Sequence, residues 1–266
     1  MKVVVNGELK DGGATSITPM DRGFTLGDGL YETIAVRKGG PRRLAAHISR
    51  LRSAATIIDI PLTYTDEQIS DFIDAVIEAN QYADGFARIT LTRGPSERGI
   101  TIPESQSPTL VVTGAMSALS ADPVHVVISK KTRRNEHSPL SGIKSTNALD
   151  SILAREEAHA AGADDALLLN TTGRLAESTV ANIFLLVGGG ILTPPITDGA
   201  LPGIMRAEVI KMTRAEEKSL GSGELSEASE IFLTNALGIR PVLSVDGKAV
   251  GDGEPGLITQ LLAARL

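Results

Sequence analysis

The segment Gly142-Ile143-Lys144-Ser145-Thr146-Asn147 carries the lysine on which the interpretation of this sequence depends. A predicted helix follows it, and then Leu175-Ala176-Glu177-Ser178. A lysine amine can form an imine with an aldehyde cofactor, and a carboxylate can hold the ring nitrogen of that cofactor protonated, which makes the ring an electron sink. Lys144 and Glu177 together therefore suggest pyridoxal-phosphate chemistry on the amino group of a small molecule, although a single lysine is most often a solvated surface charge.

Composition and charge restrict the class of protein. The 266 residues permit one large domain or two ordinary ones, and 42% hydrophobic with 22% charged residues is typical of a folded chain. The formal net charge of −6 disfavours nucleic acid as a partner. No apolar run reaches the roughly 18 residues of a membrane helix. The N-terminus becomes polar too early for a secretory signal, so we expect a cytoplasmic protein without a membrane partner.

The sequence offers few ligands for a metal ion. It contains no cysteine, which excludes disulfides, thiolate metal sites and cysteine nucleophiles. The four histidines, at positions 47, 125, 137 and 159, lack the spacing of a metal-binding motif, so we expect no metal. A short basic run contains Arg133 and Arg134 after two lysines, and we interpret it as a solvated strand end.

Hydrophobic periodicity predicts both strands and helices over residues 1–115, which we take as a first domain. A loop rich in glycine and aspartate, at 21–29, precedes a stretch at 30–36 that alternates like a half-buried strand. Apolar spacing predicts amphipathic helices over 44–58 and 66–79, the second with Thr65 as its cap. Further strands are predicted at 2–5, 86–92 and 109–113.

A small, polar, proline-terminated stretch at 114–123 predicts a linker, which we place at 116–122, and a second domain over 123–266. In that domain, strands are predicted at 124–129, 166–170, 181–187, 191–193 and 231–234, and helices at 148–161 and after Pro202-Gly203. Strands dominate and helices pack outside them, so the predicted fold class is α+β.

Three features of the sequence suit an anion, each weakly by itself. Pro202-Gly203 begins a predicted helix, where backbone N–H groups and the helix dipole favour a phosphate. Arg50 lies beside the apolar stripe of its helix, from which it either reaches an anion or covers the helix with its stem. Thr234-Asn235 offers a hydroxyl and an amide at the end of an apolar strand.

Four segments, in this order, resemble the class IV family of pyridoxal-phosphate enzymes. That family comprises branched-chain aminotransferases, D-amino-acid aminotransferases, R-selective amine transaminases and aminodeoxychorismate lyases. The segments span nearly the whole chain: DRGFTLGDGLYET (21–33) with HISRL (47–51), NEHSPLSGIKSTNALDSILARE (135–156), GRLAESTVANIF (173–184) with LPGIMR (201–206), and EIFLTNALGIRPV (230–242).

The resemblance implies a fold type IV enzyme with a small α/β N-terminal domain, a larger barrel-like C-terminal domain and a homodimeric assembly. It implies that Lys144 forms a Schiff base with pyridoxal 5′-phosphate and then moves the proton, and that Glu177 pairs with the ring nitrogen. The remaining residues that it implies for the cofactor hold the phosphate or pack on the ring: Arg50, Leu201, Gly203, Ile204, Met205, Thr234 and Asn235.

The sequence leaves the reaction open between an aminotransferase and a lyase that releases pyruvate to give 4-aminobenzoate. Thr234-Asn235-Ala236 and the RGxxxRG stretch at 93–99 resemble the lyases, whereas the segments around Tyr31 and Lys144 resemble D-amino-acid aminotransferases. Arg98 falls where those aminotransferases bind the substrate carboxylate, but their accompanying histidine is replaced by Ile100, so Arg98 is equally a flexible loop charge. We favour an aminotransferase with Tyr31 and Arg98 at the substrate; a non-catalytic cofactor-binding protein is a weaker alternative, since Lys144 and Glu177 are both present.

Overall fold

The structure is a computed structural model that describes residues 1–117 and 121–265. The described residues form two compact units, one containing 1–117 and 144–147 and the other containing 121–143 and 148–265. The predicted linker at 116–122 includes residues 118–120, which lie outside the described residues. The beginning of the small, polar stretch was predicted wrongly, because residues 114–116 continue a strand whose partner is residues 85–87.

The first unit is a six-stranded sheet with two long helices. The sheet order is β2-β1-β6-β5-β3-β4, and its neighbouring strands are antiparallel. The elements of this unit are β1 (Lys2–Val5), β2 (Glu8–Asp11), α1 (Arg22–Leu26), β3 (Gly29–Arg37), β4 (Gly40–Pro41), α2 (Leu44–Ile57), α3 (Asp66–Asn80), β5 (Gly85–Thr92) and β6 (Thr109–Met116).

The two long helices form where the periodicity predicts them. In α3, Thr65 and Gln68 make a capping box, in which each side chain bonds the backbone N–H of the other residue. The apolar residues of α3 at positions 69, 73, 76 and 77 are buried on one side of the helix. The helices thus cover one face of the sheet with apolar side chains.

The opposite face of the sheet carries polar side chains. Because side chains alternate along a strand, Leu30 and Glu32 are buried on one face while Tyr31 and Thr33 are half-buried on the other. The register of β3 with β5 places Tyr31 opposite Thr90, and Thr33 opposite Arg88.

The stretch at 21–29 is more regular than the predicted loop, because it contains the short helix α1. Asp21 caps this helix by accepting from the N–H of Gly23, and it also accepts from the hydroxyls of Thr92 and Thr109 at 2.9 and 2.8 Å. These three bonds satisfy a fully buried carboxylate. A glycine–aspartate-rich stretch predicts a loop, and the long-range bonds to Thr92 and Thr109 order it instead.

Asp28 and two arginines fix the position of this segment. Arg22 and Arg93 both approach the Asp28 carboxylate, with Nε–Oδ2 distances of 2.8 and 2.7 Å. Burial raises the pKa of Asp28, but the hydrogen bonds from Arg93 and Arg22 outweigh that effect and lower its pKa. Arg22 also donates to three backbone carbonyls of the loop at 96–101, at residues 99, 100 and 101.

The second unit is built on one long, mixed sheet. The path β12-β11-β10-β13-β14-β7-β8-β9 has β15 paired to β14 as a branch. The elements are β7 (Val124–Ile128), α4 (Leu149–Ala160), β8 (Asp165–Leu169), β9 (Leu175–Ser178), β10 (Asn182–Val187), β11 (Gly190–Thr193), α5 (Ile204–Thr213), β12 (Glu216–Glu217), α6 (Ser222–Glu227), β13 (Glu230–Asn235), β14 (Gly238–Val245), β15 (Lys248–Ala249) and α7 (Leu257–Arg265).

The sheet of the second unit curls back on itself. The last strand on the path, β9, is followed after only three residues by β10, and the N–H of Ser178 donates to the carbonyl of Ala181. Phe184 and Phe232 stack on the neighbouring strands β10 and β13 with ring centres 5.1 Å apart. The predicted α+β class is confirmed, with a barrel-like sheet and helices around it. Every described helix is too short or too polar to cross a lipid bilayer.

Candidate functional site

Lys144 belongs to the first unit, although it lies within the sequence of the predicted second domain. The N–H of Tyr31 donates to the carbonyl of Lys144 at 2.9 Å, and the N–H of Thr146 donates to the carbonyl of Gly29 at 2.9 Å. Residues 144–147 therefore pair with the start of β3, which includes a bridge between Leu30 and Ser145. Two backbone bonds fix the position from which the lysine side chain extends.

The residues that follow Lys144 explain why position 27 is a glycine. Thr146 Oγ1 and Asn147 Nδ2 both donate to the carbonyl of Gly27, at 2.6 and 3.1 Å. Gly27 has a positive φ of 67°, and a Cβ there would lie 2.9 Å from Asn147 Oδ1. Residues 26–29 (LGDG) and 144–147 (KSTN) therefore pack against each other within the first unit.

Lys144 Nζ lies 4.3 Å from the centre of the Tyr31 ring, over the polar face of the sheet. Arg88 also lies over that ring, with its Cζ 3.9 Å from the ring centre. Aromatic rings attract cations in this geometry. The Lys144 amine and the Arg88 guanidinium therefore both contact the Tyr31 ring. That Tyr31 contacts the substrate stays a prediction.

Arg88 was missed by the sequence reasoning. Its remaining described contact is a long hydrogen bond from Nε to Thr90 Oγ1 at 3.4 Å, and within the described ranges no carboxylate pairs with it. Arg98, the predicted carboxylate ligand, is instead exposed in the loop that Arg22 holds. The alternation of β5 could have identified Arg88, because residues 88 and 90 share the face of Tyr31 once the register is known.

Arg50 extends from α2 to a buried carboxylate on β3. Its Nε and Nη2 donate to the two oxygens of Glu32, each at 2.7 Å, and His47 Nδ1 lies 2.7 Å from Glu32 Oε2. Burial raises the pKa of Glu32, but the bonds from Arg50 and His47 outweigh it and hold that pKa below its ordinary value. This fork fixes the direction of the guanidinium.

Glu177 lies on β9 in the second unit and is 8% exposed. Its Oε2 accepts from the N–H of Leu201 at 3.0 Å, and its Oε1 lies 3.1 Å from Arg134 Nε. The interpretation of Arg134 as part of a solvated strand end was therefore wrong, because the folded chain brings it to a buried carboxylate. Nothing in the local sequence marks Arg134 apart from Arg133.

The start of α5 has the features of an anion site. Its N-cap, Gly203, supplies no side-chain cap, and a Cβ at this residue would lie 2.0 Å from Asn182 Oδ1. Ile204 and Met205 are the first two residues of the helix, so their N–H groups have no partner within it, and the side chain of Met205 is buried. Asn182 pairs with Thr234 across β10 and β13, which brings Thr234 to the same region.

Thr234 carries an unsatisfied hydroxyl. Its Oγ1 is buried and has no hydrogen-bond partner among the described residues, which is costly unless a bound group completes it. Asn235 is occupied differently, since its Oδ1 accepts from the N–H of Leu237 at 2.9 Å and its Nδ2 donates to the carbonyl of Val180 at 3.4 Å. The described contacts of Asn235 thus hold the turn between β13 and β14.

Comparison with known proteins agrees with this chemistry. A family model described as amino-transferase class IV matches residues 29–245. A putative branched-chain-amino-acid aminotransferase of Methanocaldococcus jannaschii is 32% identical over 98% of this chain and 94% of its own length. A D-alanine aminotransferase of Bacillus licheniformis is 30% identical over 98% and 94%.

A solved structure shows the same fold. The chain is similar to a putative 4-amino-4-deoxychorismate lyase of Legionella pneumophila, with a TM-score of 0.86 and 32% identity over 94% of each chain. The residues present suit the cofactor of the family: an amine for its aldehyde, a carboxylate for its ring nitrogen, and a helix start with an unsatisfied hydroxyl for its phosphate. The predicted family, fold type and cofactor are confirmed. The chain belongs to the class IV aminotransferases, a family of enzymes that use pyridoxal 5′-phosphate.

Proposed function

We propose that this enzyme moves an amino group between a small amino acid, of the branched-chain or D-amino-acid type, and a 2-oxo acid. The observation that carries this proposal is the Lys144 amine over the Tyr31 ring, with Arg88 over the same ring. When bound, pyridoxal phosphate supplies an aldehyde for the amino group and a cationic ring that takes up electrons from the substrate.

We propose that Lys144 is the proton carrier of the reaction. In its neutral form, the amine can accept the proton from the α carbon of the substrate and return it to the C4′ carbon of the cofactor. The backbone bonds at residues 144 and 146 fix the origin of this side chain, and the Tyr31 ring limits its direction. A fixed amine of this kind suits transfer between two neighbouring carbons.

We propose that Arg88, rather than Arg98, binds the carboxylate of the substrate. Arg88 is half-buried beside the reacting amine, and the described part of the chain gives it no carboxylate partner. Arg98 is exposed in a loop whose carbonyls Arg22 holds. A guanidinium binds a carboxylate through two parallel N–H groups, which fixes both distance and direction.

We propose that the cofactor phosphate is bound in the second unit by the start of α5 with Thr234. That Arg50 of the first unit binds this phosphate stays a prediction. Glu32 and His47 support Arg50, whereas Gly203 contributes no side-chain cap at the start of the helix that Ile204 and Met205 begin. The ring nitrogen pairs with Glu177, whose direction Leu201 fixes through its N–H. The packing of Leu201 on the ring face stays a prediction.

We propose a homodimer as the assembly. Leu149, Ile152 and Leu153 on α4 are 73%, 52% and 54% exposed and lie at the spacing of one helix face. Exposed apolar residues grouped in this way are typical of a contact surface. Sedimentation velocity of the purified protein at micromolar concentration measures this assembly directly.

The second candidate is a lyase that releases pyruvate from aminodeoxychorismate, which the similarity to the Legionella protein favours. The RGxxxRG stretch does not distinguish the two, because folding accounts for part of it. Arg93 pairs with Asp28, and Gly94 has a φ of 83° where a Cβ would lie 1.8 Å from the carbonyl oxygen of Ser107. These residues serve the first unit whichever reaction the enzyme catalyses.

A half-reaction screen tests the proposed function. Holoenzyme is mixed separately with D-alanine, L-leucine, R-phenylethylamine and aminodeoxychorismate while the visible absorbance of the bound cofactor is followed. We expect D-alanine or L-leucine to bleach the visible band and leave the aminated cofactor and a 2-oxo acid. Pyruvate released from aminodeoxychorismate without amination of the cofactor would assign the lyase instead.

A further inference from the structure

Arg134 connects three parts of the second unit that the proposed function uses. Its Nη2 donates to the carbonyl of Ser141 at 2.9 Å, and its Nε donates to the carbonyl of Gly199 at 3.1 Å. The same Nε forms an ion pair with Glu177 Oε1 at 3.1 Å. Ser141 lies in the turn that leads to Lys144 along the chain, and Gly199 precedes Leu201 by two residues.

The Glu177 carboxylate is held at both oxygens. Opposite Arg134, its Oε2 accepts from the N–H of Leu201, and Asn182 Nδ2 lies 3.5 Å from that oxygen. Asn182 also donates to the carbonyl of Leu201 at 2.8 Å, so the Leu201 backbone is fixed in turn. Because Glu177 is buried, water screens little of the charge that Arg134 places beside it.

We propose that Arg134 is a positioning residue that keeps the shared proton on the cofactor ring rather than on Glu177. This inference rests on the proposed function, in which Glu177 pairs with the ring nitrogen. A carboxylate and a pyridine nitrogen that share one proton hold it either as a ring N–H facing a carboxylate or as a carboxylic acid facing a neutral ring. A guanidinium at Oε1 stabilises the carboxylate, which favours the ring N–H.

The location of this proton determines how well the ring accepts electrons. The cationic ring stabilises the electron pair left at the α carbon, and the neutral ring does so less. A change of one pKa unit in the carboxylate changes the ratio of the two forms tenfold. Arg134 thus acts on the reaction through Glu177, without touching the substrate in this arrangement.

The test is the ¹⁵N chemical shift of the ring nitrogen in protein loaded with ¹⁵N-labelled pyridoxal phosphate. We expect a protonated signal in the wild type, a displacement toward the unprotonated position in Arg134→Gln, and a wild-type signal in Arg134→Lys, which keeps the charge. Arg133→Gln is the matched control, because Arg133 is exposed and donates to the carbonyls of Ser129 and Thr132. The half-reaction rate of Arg134→Gln should fall about tenfold or more.

Two results overturn the inference. One is a wild-type ¹⁵N shift in Arg134→Gln, and the other is an equal displacement in Arg134→Gln and Arg134→Lys, which would mean that geometry rather than charge matters. Thermal unfolding of each apoprotein excludes a general loss of structure. Glu177→Gln separates this inference from its premise: a wild-type ring signal in that variant would show that Glu177 is not the ring partner, and the proposed assignment itself would fail.

Discussion

Each unit of this enzyme contains a buried carboxylate beside an arginine, and the two pairs are built in opposite senses. In the first unit, Glu32 is 1% exposed and supports Arg50, the group predicted to bind the phosphate. In the second unit, Arg134 supports Glu177, the group proposed to bind the ring nitrogen. The first pair thus offers its arginine to the cofactor, and the second pair offers its carboxylate.

The two pairs differ in the additional bonds that their members make. Glu32 receives bonds from Arg50 and His47, so its oxygens are used inside the first unit and the arginine is the outer member. Arg134 donates to two backbone carbonyls as well as pairing with Glu177, so there the arginine supports the carboxylate, although Glu177 is the more buried of the two side chains. Arg88 is the contrasting case, since it has no carboxylate partner within the described ranges and is therefore suited to a carboxylate of the substrate.

The largest effect is expected from replacing the lysine that is proposed to carry the proton. Lys144→Ala should lower turnover at least about 1,000-fold, because no other group supplies the amine that moves the proton. Steady-state kinetics measure the loss, and thermal unfolding checks that the fold is retained. Lys130→Ala, which removes an exposed lysine, is the control. Turnover near the wild-type rate in Lys144→Ala would place the base elsewhere.

The second largest effect is expected from replacing Glu177, the carboxylate of the second pair. Glu177→Gln keeps the shape of the side chain but removes its charge, so the ring loses the partner that keeps it cationic. We expect the half-reaction rate to fall about 100-fold, measured by stopped-flow absorbance with saturating amino acid. Glu227→Gln changes an exposed carboxylate in the same unit and should have no effect. An undiminished rate in Glu177→Gln would remove Glu177 from the proposed chemistry.

Arg88, which has no carboxylate partner among the described residues, should affect the reaction with the substrate and not the binding of the cofactor. Arg88→Gln should lower kcat/KM for the amino acid about 100-fold and leave cofactor affinity unchanged, because a charged partner of the substrate carboxylate is lost. Arg98→Gln is the matched comparison, with an expected change below about threefold. If Arg98→Gln lost the activity and Arg88→Gln kept it, the prediction that Arg98 binds the substrate carboxylate would be confirmed and the proposal for Arg88 would fail. The comparison is most specific with a second substrate that lacks the carboxylate, for which both variants should react equally.

The last prediction concerns the Glu32 carboxylate of the first unit, where the effect is on stability and its pH dependence and not on the reaction. Glu32 has a lowered pKa in the folded chain, so its contribution to stability is present above the unfolded pKa of about 4.3 and is lost as the pH falls through the folded value. Glu32→Gln should destabilise the protein at pH 7 by about 3 kcal/mol, because it leaves buried charges unpaired.

Thermal melts from pH 7 down to pH 3 measure this dependence. The Tm difference between wild type and Glu32→Gln should begin to narrow as the pH falls below about 4.3, because the unfolded chain then binds a proton that the folded carboxylate, with its lowered pKa, does not yet bind. Glu8→Gln is the control, since Glu8 forms an exposed pair with Lys10. A Tm difference that stays constant with pH would mean that the charge of Glu32 does not contribute to stability.

Local pattern was sufficient for much of the fold. The helices α2 and α3 and the strand β3 end within a residue or two of their predicted limits, because their apolar spacing and caps are properties of consecutive residues. The short helix α1 was not predicted, since Asp21 is ordered by Thr92 and Thr109, which are distant in the sequence.

The candidate site divides in the same way. Lys144, Glu177 and Arg50 stand within segments whose order and spacing identify the family, so the sequence was enough to select them. Arg88 and Arg134 have no such context. Arg88 was recognisable only when β3 and β5 were in register, and Arg134 only when it approached Glu177 and two loop carbonyls.

The sequence alone determined the family and the cofactor and selected Lys144 as the candidate for the reacting amine, because these depend on residue types at fixed positions in the chain. The tertiary structure decided which charged groups stand beside that chemistry. Arg98 and Arg88 are the same residue type and lie ten residues apart, yet Arg98 is exposed in a loop and Arg88 lies over the Tyr31 ring. Charge acts through space, so its partners are fixed only when the chain has folded.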